Sequence, residues 1–110
     1  MANPLQLKAL ANGTATDTPA TVIYTVPAGK EAVIRMISLV NHAGGAKRVY
    51  YQINFGEGAV YVGPTDTIPD KAQEFYSGMF PLEEGDTVLL WAETAAVVDY
   101  VLLGSEDDAA

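Results

Sequence analysis

The sequence predicts an all-β fold: a seven- to eight-stranded antiparallel β-sandwich, jelly-roll-like, with an N-terminal extended arm and a mobile acidic C-terminal tail. Three observations carry that expectation. Short runs rich in Val, Ile, Thr and Tyr recur along the chain. Clusters of Gly, Pro, Asn and Asp separate them at the spacing of sandwich strands. No stretch repeats its apolar residues with the 3.6-residue period of an amphipathic helix. At 110 residues the chain is one domain by length. Residues 1–19 read as arm and loop, 20–104 as the sandwich and 105–110 as the tail.

Taken in order, Met1 to Leu10 opens with Asn3-Pro4 and then alternates Leu5, Leu7 and Ala9 against Gln6 and Lys8, an arm or a short first strand. Ala11 to Pro19 is small and polar, a loop. Ala20 to Val26 alternates as a strand. Pro27 presets its own φ and Gly29 can take a positive one, so Pro27 to Lys30 turns the chain. Glu31 to Asn41 is a long strand. Strict alternation puts Ala32, Ile34, Met36 and Val40 on one face, and Val33, Ile37 and Leu39 with Arg35 on the other. His42 to Ala46 is a Gly-Gly turn. In Arg48 to Phe55, Val49, Tyr51, Ile53 and Phe55 share the apolar face. Gly56-Glu57-Gly58 turns into a brief strand, Ala59 to Val62. Gly63 to Lys71 is a loop. Ala72 to Tyr76 is a strand broken at Ser77-Gly78. Glu83 to Asp86 is a turn, echoing Pro27 to Lys30. Thr87 to Ala92 and Val97 to Leu103 are the last strands. The residues from Gly104 onward offer no apolar anchor and should stay in solvent.

Composition excludes several classes of function. Net charge is −8, which repels phosphate backbones and anionic lipid, so neither nucleic acid nor membrane is expected as a partner. No N-terminal stretch joins a basic start to an apolar run, and no apolar run approaches ~20 residues. With no cysteine there are neither disulfides nor thiolate metal sites. The single histidine, His42, lies beside a glycine-rich turn, where a solvated residue is expected. A metal jelly roll needs several converging histidines, and Ser38, Ser77 and Ser105 lie in no nucleophile-elbow context. The loop carboxylates Asp66, Asp70, Glu83, Glu84 and Asp86, with Glu57, could hold calcium, but no EF-hand spacing is present and solubility explains them equally well. The chain is therefore expected to need no cofactor and to catalyse no reaction.

The apolar residues exceed what one sandwich hides. Outward-facing positions should be polar, yet Glu31 to Asn41, Thr87 to Ala92 and Val97 to Leu103 are apolar on both faces. With no helix to cover the surplus, another copy of the chain or a larger partner is the expected cover. Leu5 and Leu7 in the arm, and Arg35, Leu89, Trp91 and Tyr100 in the strands, are the candidate interface residues. Arg35 reads either as a snorkelling edge residue or as half of an ion pair across a subunit contact, with Glu74 or Asp99 as candidate partners.

The run Ile23-Tyr24-Thr25-Val26-Pro27-Ala28-Gly29-Lys30 leading into Ala32-Val33-Ile34, with Leu82-Glu83-Glu84-Gly85-Asp86-Thr87-Val88 near the end, resembles the small all-β virion proteins of tailed bacteriophages. The likeness spans about Val22 to Leu103 and consists of turn chemistry and β pattern. It implies a structural part of the particle. The first expectation is a capsid decoration (cement) protein that bridges capsid subunits, is assembled into the virion in the host cytoplasm, and forms a homo-oligomer, with a trimer favoured. Its partner would be the major capsid protein or another virion protein. A tail, neck or adaptor component is the alternative within that class. A carbohydrate-binding or host-adhesion module using Tyr50, Tyr61 or Trp91 is the alternative outside it.

Overall fold

A computed structural model describes residues 8–42, 45–58, 60–63 and 66–109. Nine strands follow one another: β1 (Lys8–Thr14), β2 (Val22–Thr25), β3 (Lys30–Asn41), β4 (Lys47–Asn54), β5 (Val60–Val62), β6 (Asp66–Ile68), β7 (Gln73–Leu82), β8 (Thr87–Ala92) and β9 (Val98–Asp108). The one helical turn among the described residues is a 3-10 turn at Gly56–Gly58.

The strands form two antiparallel sheets packed as a sandwich. One is four-stranded in the order β1-β9-β3-β7. The other runs β2-β8-β4-β5, with β6 also pairing β4. Successive strands change sheet at every step except β4 to β5 to β6, which is the connectivity of a jelly roll. Inward-facing side chains of both sheets meet between them. Ile34, Ile37, Leu39, Val49, Ile53, Val88, Leu90, Val98 and Leu102 are each at most 1% exposed. Tyr51 of one sheet stacks on Tyr76 of the other, with ring centroids 6.3 Å apart.

The corners that echo each other in sequence meet in space. Val26 N–H donates to Asp86 O (3.0 Å) and Gly85 N–H to Val26 O (3.1 Å). Gly29 N–H donates to Glu84 Oε1 (2.7 Å). Gly29 and Gly85 both adopt positive φ, 77° and 88°. The buried Asp86 carboxylate accepts from Gly56 N–H and Glu83 N–H, both at 2.9 Å, so one side chain ties two corners together.

The long strand departs from strict alternation. Its register against β9 shifts between Ile34 and Met36, leaving Arg35 as an extra residue. A bulge of this kind reverses the parity of everything beyond it. Ala32, Ile34, Ile37 and Leu39 therefore all face the core, while Val33, Met36, Ser38 and Val40 face outward. The expected face assignment is corrected accordingly. β1 carries a matching irregularity between Ala9 and Ala11, at the same level of β9.

Both ends of the sandwich differ from expectation. Residues 105–108 are not a free tail: they continue β9 against Lys30–Val33. Glu106 faces inward and accepts a 2.5 Å hydrogen bond from Tyr24 Oη, which supplies the anchor that no apolar residue provides. Asp108 pairs with Lys30 Nζ at 2.6 Å. At the other end, Lys8–Thr14 is an integral edge strand, so much of the polar segment read as loop is sheet. Ser77-Gly78 does not break β7, which runs unbroken from Gln73 to Leu82.

Candidate docking faces

Several of the groups that chemistry could use are engaged with neighbours in the fold. His42 is exposed and lies 3.3 Å from Asp99, which also accepts a hydrogen bond from Thr14 Oγ1. Ser38 Oγ accepts from Gln73 Nε2. Glu84, Asp86 and Glu106 each accept from a backbone N–H or a phenol. Among the described residues no three His, Cys, Asp or Glu side chains converge to hold a metal ion. No helix among them is long and apolar enough to cross a membrane. The surfaces left without an explanation are the two outer sheet faces.

The outer face of the five-stranded sheet is set by cross-strand register. Leu89 stands between Val22 and Gln52, and Gln52 is followed by Val62. Trp91 lies beside Tyr50, their rings stacked at 5.3 Å and 11°. Asn54 neighbours Val60. Val22, Val60 and Val62 are 50, 50 and 66% exposed. Among the described residues no charged side chain lies in the middle of this face, where Gln52 Nε2 donates to Asn54 Oδ1.

The outer face of the four-stranded sheet is built in the same way. Val101 and Ser38 lie side by side with Phe75 beyond them; Ala9, Leu103 and Met36 form the next row; Val33 and Pro81 follow. Phe75 and Met79 are 55 and 64% exposed. The carboxylates sit at the two ends, Glu31 and Asp107 at one and Asp99 at the other. Arg35, half-buried at the bulge, is the one charged residue placed midway, and it makes no ion pair among the described residues.

The expected interface residues are therefore dispersed. Trp91 is half-buried on the five-stranded face. Leu89, in the same outer face between Val22 and Gln52, is only 3% exposed and so is covered by its neighbours. Arg35 belongs to the other sheet. Tyr100 points inward, packing under Gly13, and shares a face with none of the others. Leu5 and Leu7 lie outside the described residues. Sequence reading passed over Val22, Val60, Val62, Phe75 and Met79. Their outward placement follows from pairing partners and from the parity of the bulged sheet, neither of which alternation within one strand reveals. The chain matches no family model, no curated protein and no solved structure.

Proposed function

We propose that the protein is a non-enzymatic structural component of a virus particle of the tailed-phage type, most simply a capsid decoration protein that docks by the outer face of its five-stranded sheet. The observation that carries this reading is a largely apolar sheet face whose described charged residues lie away from its centre. Trp91 and Tyr50 supply the aromatic anchor typical of interface hot spots, and Val22, Val62 and Val60 extend the apolar surface along the sheet to one side of it. The likeness of the two corners to phage virion proteins points to the kind of partner. The net charge of −8 suits docking on a basic patch of that partner. A tail, neck or adaptor position would use the same face.

The test begins with purified particles probed for the protein, followed by rebinding of purified protein to particles that lack it. Val22→Glu with Val62→Glu should abolish rebinding with little change in melting temperature. Trp91→Ala should weaken it by at least ~2 kcal/mol. Absence of the protein from purified particles would overturn the virion reading. The Tyr50–Trp91 stack also favours a second reading, a carbohydrate-binding module. Glycan-array binding that disappears in Trp91→Ala would support it.

A further inference from the structure

We infer that the outer face of the four-stranded sheet takes a second copy of this chain about a two-fold axis. The inference concerns a different surface from the docking face above and does not depend on the virion reading. It rests first on size. The strands β1, β3, β7 and β9 are 7, 12, 10 and 11 residues long, forty in all. At about 16 Å² of sheet per residue their flat footprint is ~640 Å². A corrugated face exposes more than its footprint, which brings it to the ~800 Å² per partner that a stable protein contact buries. The strands of the other sheet are 4, 8, 3, 3 and 6 residues long, twenty-four in all. That footprint, ~380 Å², is the smaller of the two.

Chemistry and shape agree with size. A chain of net charge −8 repels its own kind unless the contact surface is cleared of carboxylates. Here the carboxylates Glu31, Asp107 and Asp99 lie at the two ends of the face, and Val33, Met36, Ser38, Val101 and Leu103 occupy its middle, with Arg35 at the bulge the charged residue among them. Phe75 and Met79 stand more than half exposed on β7, an apolar patch of the kind that marks an interaction site. Two sheets pack face to face when their twists match, and a second copy has the same twist by identity. A two-fold contact of this kind is self-complementary and closes on itself.

The experiment is sedimentation velocity on the full chain from about 1 to 100 μM, alongside circular dichroism and melting. Wild type is expected at twice the 11.7 kDa chain mass. Phe75→Glu with Met79→Glu, both at exposed positions, should sediment as a folded monomer, with association weakened at least ~30-fold. Val22→Glu with Val62→Glu on the opposite face should remain dimeric. If the double glutamate variant misfolds, Phe75→Ser and Met79→Gln singly should each shift the dimer toward monomer. A monomeric wild type at 100 μM overturns the inference. So does a trimer, a dimer indifferent to the β7 substitutions, or one broken from the other sheet.

Discussion

Gly104 shows how closely the bulged strands approach β9. A Cβ built there would lie 2.1 Å from the carbonyl oxygen of Val33 and 2.9 Å from Leu10 Cδ1. The first contact is with backbone, which cannot rotate away. Gly104→Ala should therefore cost about 1–3 kcal/mol, read as a fall of ~5–15 °C in melting temperature. A variant that melts with wild type would show that the sheet can spread at this level. Tyr24 gives a pH signature. Its phenol is pushed above the ordinary tyrosine value by burial, reinforced by its hydrogen bond to Glu106 and by the Glu106 charge. Tyr51 is raised by burial, with a smaller push from Tyr61. In the unfolded chain both ionise near pH ~10. Their contribution is therefore complete below that pH and is lost as pH rises beyond it, through the folded-state value. Urea midpoints should fall steeply above pH ~10. Tyr24→Phe should lower the midpoint at pH 8 by losing a hydrogen bond worth about 1–3 kcal/mol, and should also flatten the alkaline decline. An unchanged alkaline slope would mean that other groups drive it.

At the scale of elements, the legibility of the sequence followed burial on one face. β4 alternates cleanly, and its inward set, Val49, Tyr51 and Ile53, is the expected one; β8 is apolar on both faces, so alternation alone did not tell its inward set, Val88, Leu90 and Ala92, from Leu89 and Trp91. β3 was recognisable as a strand, but no residue in it announces the bulge; Arg35 becomes intelligible only when β9 is laid alongside. β6 is three residues inside an apparent loop, and its Ile68 is wholly buried. β9 was cut short because Gly104 to Asp108 offers no apolar side chain. Its alternation is carried instead by a glycine, a glutamate bonded to a buried phenol, and an aspartate paired with Lys30. The Lys30 ammonium holds the Asp108 carboxyl below its usual value and is itself raised by it. Both groups are exposed, so this pair is a latch and the ladder with Lys30–Val33 is the anchor. Deleting residues 105–110 removes the latch, the ladder and the Glu106 contacts together. The melting temperature should drop by at least ~8 °C, the equivalent of one or two kcal/mol in a domain of this size. Asp108→Asn alone should change it by no more than a degree or two. A truncated chain as stable as wild type would show that the strand ends functionally at Gly104.

The whole molecule sorts its charges. Carboxylates gather at corners and strand ends, while the centres of both outer faces carry mainly valine, leucine, methionine and aromatic side chains, joined by Gln52 and Asn54 on one and by Ser38 and Arg35 on the other. Such a distribution makes a dimer through the four-stranded sheet subject to long-range repulsion between two chains of charge −8, with no ion pairs at its centre to offset it. Added salt screens that repulsion. Raising sodium chloride from 20 to 500 mM should tighten the dimer severalfold in sedimentation. Weakening over that range would identify a contact held by charge pairs instead. The same distribution explains why composition alone could nominate surplus apolar surface without saying where it lies. Trp91 and Leu89 announce themselves by type, but a face is a property of register among four strands.

The position of β9 between β1 and β3 has a further consequence, in time rather than in space. It is the last of the nine strands to leave the ribosome, yet it fills the centre of its sheet. Until it arrives, β1 has no strand to pair with and β3 is held from one side only, by β7. The sheet therefore cannot grow outward from an early hairpin; it closes when its final strand is inserted between two that were waiting. A nascent chain stopped before Val98 displays the core faces of both sheets to chaperones and proteases.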